Sequence, residues 1–129
     1  MKNTLINKAI ETLKNAYSPY SDFKVGAALL CTDGSVYTGC NVENASYSLT
    51  CCAERSAILA AISDGKRDFS AIAVVGGRNG NITDFCTPCG ACLGVLCEFC
   101  KDDFKIYLYN SKEIKETTLS SLMPVSFRL

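Results

Sequence analysis

Apolar residues return at helical spacing through Leu5, Ala9, Ile10, Leu13 and Ala16, and the pattern breaks at Ser18-Pro19. This spacing predicts an amphipathic first helix whose apolar stripe is core. After a polar loop over residues 17–22, the run from Phe23 to Cys31 is apolar enough for a largely buried strand. Asp33-Gly34 is a hairpin turn signal, so residues 36–42 are expected to return as the partner strand. Helical spacing resumes from Cys52 to about Ser63, with Ile58, Ala61 and Ile62 inward and Asp64-Gly65 as the stop. Residues 71–75 form a short apolar strand closed by Gly76-Gly77, and residues 78–84 a polar loop. A third helix is expected to open at Thr87-Pro88, a good N-cap followed by a residue whose missing N–H costs nothing in a first turn. Leu93, Val95, Leu96 and Phe99 continue it. Residues 105–109 alternate as a strand, and residues 113–118 read as an edge strand with charges outward. Pro124 and Phe127 fall in a short tail. Helix, hairpin, then helices and strands in alternation predict a three-layer α/β chain with a mixed sheet. No linker, repeat or low-complexity tract interrupts it, so residues 1–129 are expected to form one domain.

Composition narrows the chemistry. Thirteen basic and thirteen acidic residues cancel, leaving no electrostatic footprint for a nucleic acid and favouring a small, near-neutral substrate. No run is long enough to cross a bilayer. Nine cysteines, an odd number, after an N-terminus unlike a signal peptide predict a reducing, cytoplasmic setting. Histidine is absent. The commonest zinc ligand and the commonest general base are therefore both missing, and a zinc site here must rest on sulfur or carboxylate.

Two stretches supply such groups. Cys52-Ala53-Glu54-Arg55 and Thr87-Pro88-Cys89-Gly90-Ala91-Cys92 offer three thiols with metal-ligand spacing and one carboxylate beside the first. Cys89 and Cys92 fall one helical turn apart on one face. Three ligands with a free acid point to catalysis, because purely structural zinc is usually closed by four protein groups. Helix N-termini stabilise thiolates, so two converging ends favour metal binding. Three thiolates on a divalent ion leave an excess negative charge, which Arg55 can offset by hydrogen bonding to sulfur.

Two other readings of the sulfur stand beside this one. Cys86, Cys89 and Cys92, followed by Cys97 and Cys100, have the look of an iron–sulfur loop, but such a loop is not expected to open with Thr-Pro, and it leaves residues 52–55 unexplained. A structural zinc site closed by Cys86 or Cys51 would make the chain a scaffold. Cys51 is adjacent to Cys52 and should point elsewhere, while Cys86 reaches the site only if the third helix begins differently. Cys31, Cys40, Cys97 and Cys100 are expected to be core packing.

The paired motifs Cys-Ala-Glu-Arg and Pro-Cys-Gly-Ala-Cys resemble those of the zinc-dependent cytidine deaminases of the small, all-cysteine-ligand type. The resemblance implies a three-layer α/β/α fold with five strands, homotetramers, and one Zn²⁺ per subunit on Cys52, Cys89 and Cys92. It also implies hydrolysis of cytidine and 2′-deoxycytidine to uridine and 2′-deoxyuridine plus ammonia, a step of pyrimidine salvage, with Glu54 moving the protons. Asn41-Val42-Glu43-Asn44 resembles the segment that grips the ribose; an amide and a carboxylate on one side of an extended chain suit vicinal hydroxyls. Phe23 resembles the aromatic residue at the mouth of the base pocket. The backbone groups of Ala53 and Cys89 resemble those that orient the base, and Tyr47 and Phe127 resemble residues that reach a neighbouring subunit's site. Blasticidin-type deaminases share the zinc motifs; Phe23 and the Asn41–Glu43 pair favour a free nucleoside. One departure stands out: Leu93-Gly94 occupy the positions where this family commonly has Arg-Gln.

Overall fold

The computed structural model describes residues 1–129. Helix α1 (Lys2–Thr12) leads through a 3₁₀ turn (Leu13–Asn15) into the hairpin strands β1 (Phe23–Cys31) and β2 (Val36–Cys40). Helix α2 (Ala53–Ser63), strand β3 (Phe69–Arg78), helix α3 (Gly90–Phe99) and strand β4 (Lys105–Tyr109) follow. Strand β5 (Ile114–Thr118) and the short helix α4 (Leu119–Leu122) close the chain. The sheet order is β2-β1-β3-β4-β5. Only β3 and β4 run parallel, paired from Ala71–Lys105 to Val74–Leu108 across the α3 crossover. The other pairs are antiparallel.

Period-2 alternation gives the sheet two apolar faces. Ala28, Ala73 and Val75 pack against Leu5, Ile6 and Ala9 of α1. On the other face Leu29, Ile72, Val74 and Ile106 pack against Ile58 of α2, Leu96 of α3 and Leu119 of α4. The three layers and mixed five-stranded sheet are those expected. β5 is the outer strand, with Lys115 and Glu116 exposed along it.

Four local expectations are corrected. The regular α1 ends at Thr12 and tightens to a 3₁₀ turn, rather than running to Ala16. β2 stops at Cys40, because the Asn41 side chain ties back to β1 and Val42 bridges instead to Tyr17 and Cys51. Gly76 and Gly77 lie inside β3, which runs to Arg78. They are there for close approach: a Cβ on Gly76 would sit 2.9 Å from Cys86 Sγ and 3.0 Å from the Phe23 ring. Finally, α3 begins at Gly90 with Cys89 as N-cap, its sulfur accepting from Cys92 N–H at 3.4 Å. Thr87 and Pro88 precede the cap, because the Cys89 sulfur supplies the acceptor expected of the Thr87 hydroxyl. The helix α4, capped by Thr118 accepting from Ser121 N–H, was not legible in the pattern.

Gly39 sets the position of α2. A Cβ there would lie 2.5 Å from both Ala53 O and Ala57 N, so β2 touches the first turn of the helix that follows Cys52. Gly39→Ala is expected to destabilise the fold by about 1–3 kcal/mol through overpacking, measured as a lowered denaturation midpoint. An unchanged midpoint would show that α2 yields without cost.

Candidate active site

Cys52 is the N-cap of α2 and Cys89 the N-cap of α3, so the two helix starts bring their sulfurs together. Cys52 Sγ lies 3.8 Å from Cys89 Sγ, and Cys89 Sγ 3.3 Å from Cys92 Sγ. All three fall within 4.8 Å of one another. Sulfurs about 2.3 Å from one tetrahedral zinc ion would stand roughly 3.8 Å apart, so the donor set fits zinc in both element type and spacing. Cys86 and Cys51 are outside this group. Although α3 starts later than Thr-Pro suggested, Cys86 still turns onto Gly76. Cys51 Sγ faces Cys52 O and Ser56 Oγ.

The electrostatics of the cluster are uneven. Cys52 is held well below the ordinary thiol range, first by hydrogen bonding with Cys92 and then, against its burial, by Arg55 and Cys89. Cys92, the donor in that pair, is pushed up correspondingly. Arg55 Nη2 sits 3.6 Å from Cys52 Sγ and donates to Thr50 O at 3.2 Å; its Nε is buried without a protein partner. Leu93, in the position after Cys92, is buried in the core, so Arg55 is the cation placed against the sulfurs. Glu54, in the first turn of α2, is 4% exposed. Burial raises its carboxyl above the usual range, with the Cys52 charge adding to the effect. A buried carboxylate of raised affinity for protons, beside metal-binding sulfur, is suited to accept and return a proton. The Cys86 thiol is pushed up to about 11 by burial and stays neutral.

A cavity of about 190 Å³ opens onto these groups. Glu54, Cys52 and Cys89 line it together with Val25, Asn41, Thr50, Ala53, Cys86 and Thr87. A second cavity, about 330 Å³, lies between Tyr20, Ser21, Glu43, Tyr47 and Thr50. Asn41 lines the first cavity and Glu43 the second. The Asn41 amide accepts from Val25 N–H at 2.9 Å and donates to Phe23 O at 2.8 Å, committing one donor and one acceptor to β1. The Glu43 carboxylate accepts from Tyr20 N–H at 3.0 Å, Ser21 N–H at 3.1 Å and the Ser21 hydroxyl. These bonds hold it below the usual carboxylate range. Tyr47 shares the Glu43 cavity and packs edge-on against Tyr20.

Phe23 lines neither cavity; its ring lies over Gly76, beside Cys86. Phe127 is 83% exposed in the tail and also lines neither. Sequence reasoning missed Val25, Thr50, Cys86 and Thr87 as lining residues. Val25 was reachable, since it shares a strand face with Phe23; Thr50 carries no local signal. A wider depression of about 610 Å³ lies at the far end of α3, around Cys97, Asp102 and Arg128, and none of the expected site residues lines it.

Comparison with known proteins agrees with this geometry. Residues 1–108 match the family model described as the cytidine and deoxycytidylate deaminase zinc-binding region. A cytidine deaminase of Halalkalibacterium halodurans is 50% identical over 127 residues, 98% of this chain and 93% of that protein. One from Sporosarcina psychrophila is 49% identical over 124 residues, 95% of this chain and 88% of that protein. The crystal structure of a cytidine deaminase from Burkholderia pseudomallei superposes with a TM-score of 0.90 at 44% identity, covering 98% of this chain and 99% of that one. Shared fold, near-complete coverage and a sulfur cluster able to hold zinc lead to one conclusion: this chain belongs to the zinc-dependent cytidine and deoxycytidylate deaminase family.

Proposed function

We propose that the protein hydrolyses cytidine and 2′-deoxycytidine to uridine and 2′-deoxyuridine with release of ammonia, as a pyrimidine-salvage enzyme of the cytoplasm, with residues 1–129 acting as one domain. The observation that carries this reading is a buried Glu54 beside three gathered sulfurs, with Glu54, Cys52 and Cys89 lining one cavity. When held by Cys52, Cys89 and Cys92, zinc supplies the Lewis acidity that makes water acidic near neutral pH. Glu54 takes the water's proton and passes it to N3 of the cytosine ring as the water oxygen adds to C4. The carboxylate then takes the second proton, from the new C4 hydroxyl, and delivers it to the 4-amino group, which leaves as ammonia while the C4 carbonyl forms. One carboxyl serves both transfers because burial keeps its proton affinity high. Ala53 N–H and the Cys89 backbone, at the two helix starts, orient the base, and Arg55 offsets thiolate charge.

The adjoining Glu43 cavity is the place for the sugar, whose hydroxyls Glu43 takes together with Asn41 from the lining of the neighbouring cavity. Phe23 flanks the base pocket behind Cys86. The exposed Tyr47, 77% accessible, and Phe127 are apolar surfaces that a homotetramer would cover, each reaching a neighbour's site. No helix is long and apolar enough to cross a membrane, and the balanced charge suits a free nucleoside over nucleic acid.

Incubating the protein with cytidine should yield uridine and ammonia in equal amounts, with one zinc per subunit by metal analysis and elution at four times the subunit mass. Full zinc loading without turnover of either nucleoside would overturn the reading.

A further inference from the structure

Thr50 is the one residue that lines both cavities. One cavity holds Glu54, Cys52 and Cys89, and the other holds Glu43, Tyr20 and Tyr47. The chain turns at Thr50 out of the 3₁₀ turn Tyr47–Leu49 toward Cys52, and both its side chain and its backbone are engaged there. Thr50 Oγ1 accepts from Asn44 N–H at 3.2 Å, fixing the end of the segment that carries Asn41 and Glu43. Its carbonyl accepts from Arg55 Nη2 at 3.2 Å, the same nitrogen that lies 3.6 Å from Cys52 Sγ. A continuous set of contacts therefore joins the sulfur cluster to the Glu43 segment through one half-buried residue.

We propose that Thr50 is a positioning residue that holds the two halves of the cleft in register, so that a ligand spanning both meets Glu43 and Glu54 at a preset separation. This rests on the nucleoside reading above. The physical cause is pre-organisation: with the hydroxyl in place, the Glu43 segment is ordered before binding, and the ligand does not bear that ordering cost. Without it, the Asn44 N–H loses its acceptor and the chain loosens just past Glu43, although Val42 stays bridged to Tyr17 and Cys51. Glu54 and the sulfurs are seated at the starts of α2 and α3 independently of that bond. The loss therefore falls on binding and leaves the chemical step alone.

The test compares Thr50→Val, which keeps the shape and removes the hydroxyl, with Thr50→Ser, which keeps the hydroxyl. In Thr50→Val the KM for cytidine is expected to rise roughly tenfold, the size of one neutral hydrogen bond, with kcat and zinc content unchanged. Thr50→Ser should restore KM. Amide exchange at Asn44 should quicken in Thr50→Val and return to normal in Thr50→Ser. An unchanged KM with unchanged Asn44 exchange overturns the proposal, as does a fall in kcat at constant KM or loss of zinc. If the parent protein does not turn over cytidine, the nucleoside reading fails by itself, and Asn44 exchange still decides whether Thr50 holds the segment.

Discussion

Glu54→Gln is expected to retain zinc and to lower kcat by roughly 10²–10⁴-fold or more, the contribution of a positioned acid and base. The amide has nearly the volume of the carboxyl, and Glu54 itself is buried, at 4% exposure, so packing around α2 should survive. What is lost is the group that accepts a proton and returns it. Single-turnover kinetics with parallel metal analysis separate the two, and near-normal turnover in the variant would remove Glu54 from its assigned role. The same substitution has a consequence for stability that needs no substrate. Burial raises the Glu54 carboxyl above its ordinary value of 4.5, so the folded protein binds this proton more tightly than the unfolded chain. Its stability is then fullest below that ordinary value and declines as pH rises through the elevated one. Metal-free parent protein should show this decline in denaturation midpoint, and metal-free Glu54→Gln should lack the Glu54 part of it. Parallel profiles for the two would show that burial of the charge costs nothing.

Cys89→Ala is expected to abolish turnover by releasing the metal. Cys89 carries two tasks: its sulfur is central in the cluster, close to both Cys52 and Cys92, and it caps α3 by accepting from Cys92 N–H. Removing the cap should cost about 0.5–2 kcal/mol. Because an ion bound only by the folded state adds stability by mass action, the variant should also stop responding to zinc. A chelator should therefore lower the midpoint of the parent protein and leave that of Cys89→Ala unmoved. Cys89→Ser separates the tasks, since a hydroxyl caps a helix well but is a poor substitute for thiolate on zinc; it should regain part of the stability and little of the metal. Zinc content equal to the parent in Cys89→Ala would exclude Cys89 as a ligand.

Both expectations rest on residues that stand out along the chain. With histidine absent, the pairing of Cys52 and Glu54 with Cys89 and Cys92 pointed to sulfur-bound metal beside an acid. The hairpin at Asp33-Gly34, the strands over residues 23–31 and 105–109, and the stop at Gly65 were equally plain, and Gly34 and Gly65 do take positive φ. The edge of α3 was misplaced because a Thr-Pro signal and a capping cysteine compete within three residues, and sulfur is not an obvious cap. β3 was cut short because glycine inside a strand looks like a break unless its neighbours are known; here Cys86 and Phe23 crowd Gly76.

Local chemistry and periodicity were thus enough for the layer order, for the metal-binding sulfurs and for the acid beside them, since each depends on residue type and on spacing within one element. Which of nine cysteines converge is a different matter. It depends on α2 and α3 meeting at their N-termini, which gathers Cys52, Cys89 and Cys92 and leaves Cys51 against Ser56, and Cys86 against Gly76 on the cavity wall, both outside the cluster. The Asn41 side chain's bonds to β1, the Glu43 carboxylate's bonds to Tyr20 and Ser21, and the place of Thr50 between two cavities likewise come from contacts that the residue pattern does not show. Side-chain direction across space is set by packing, and only the folded chain contains it.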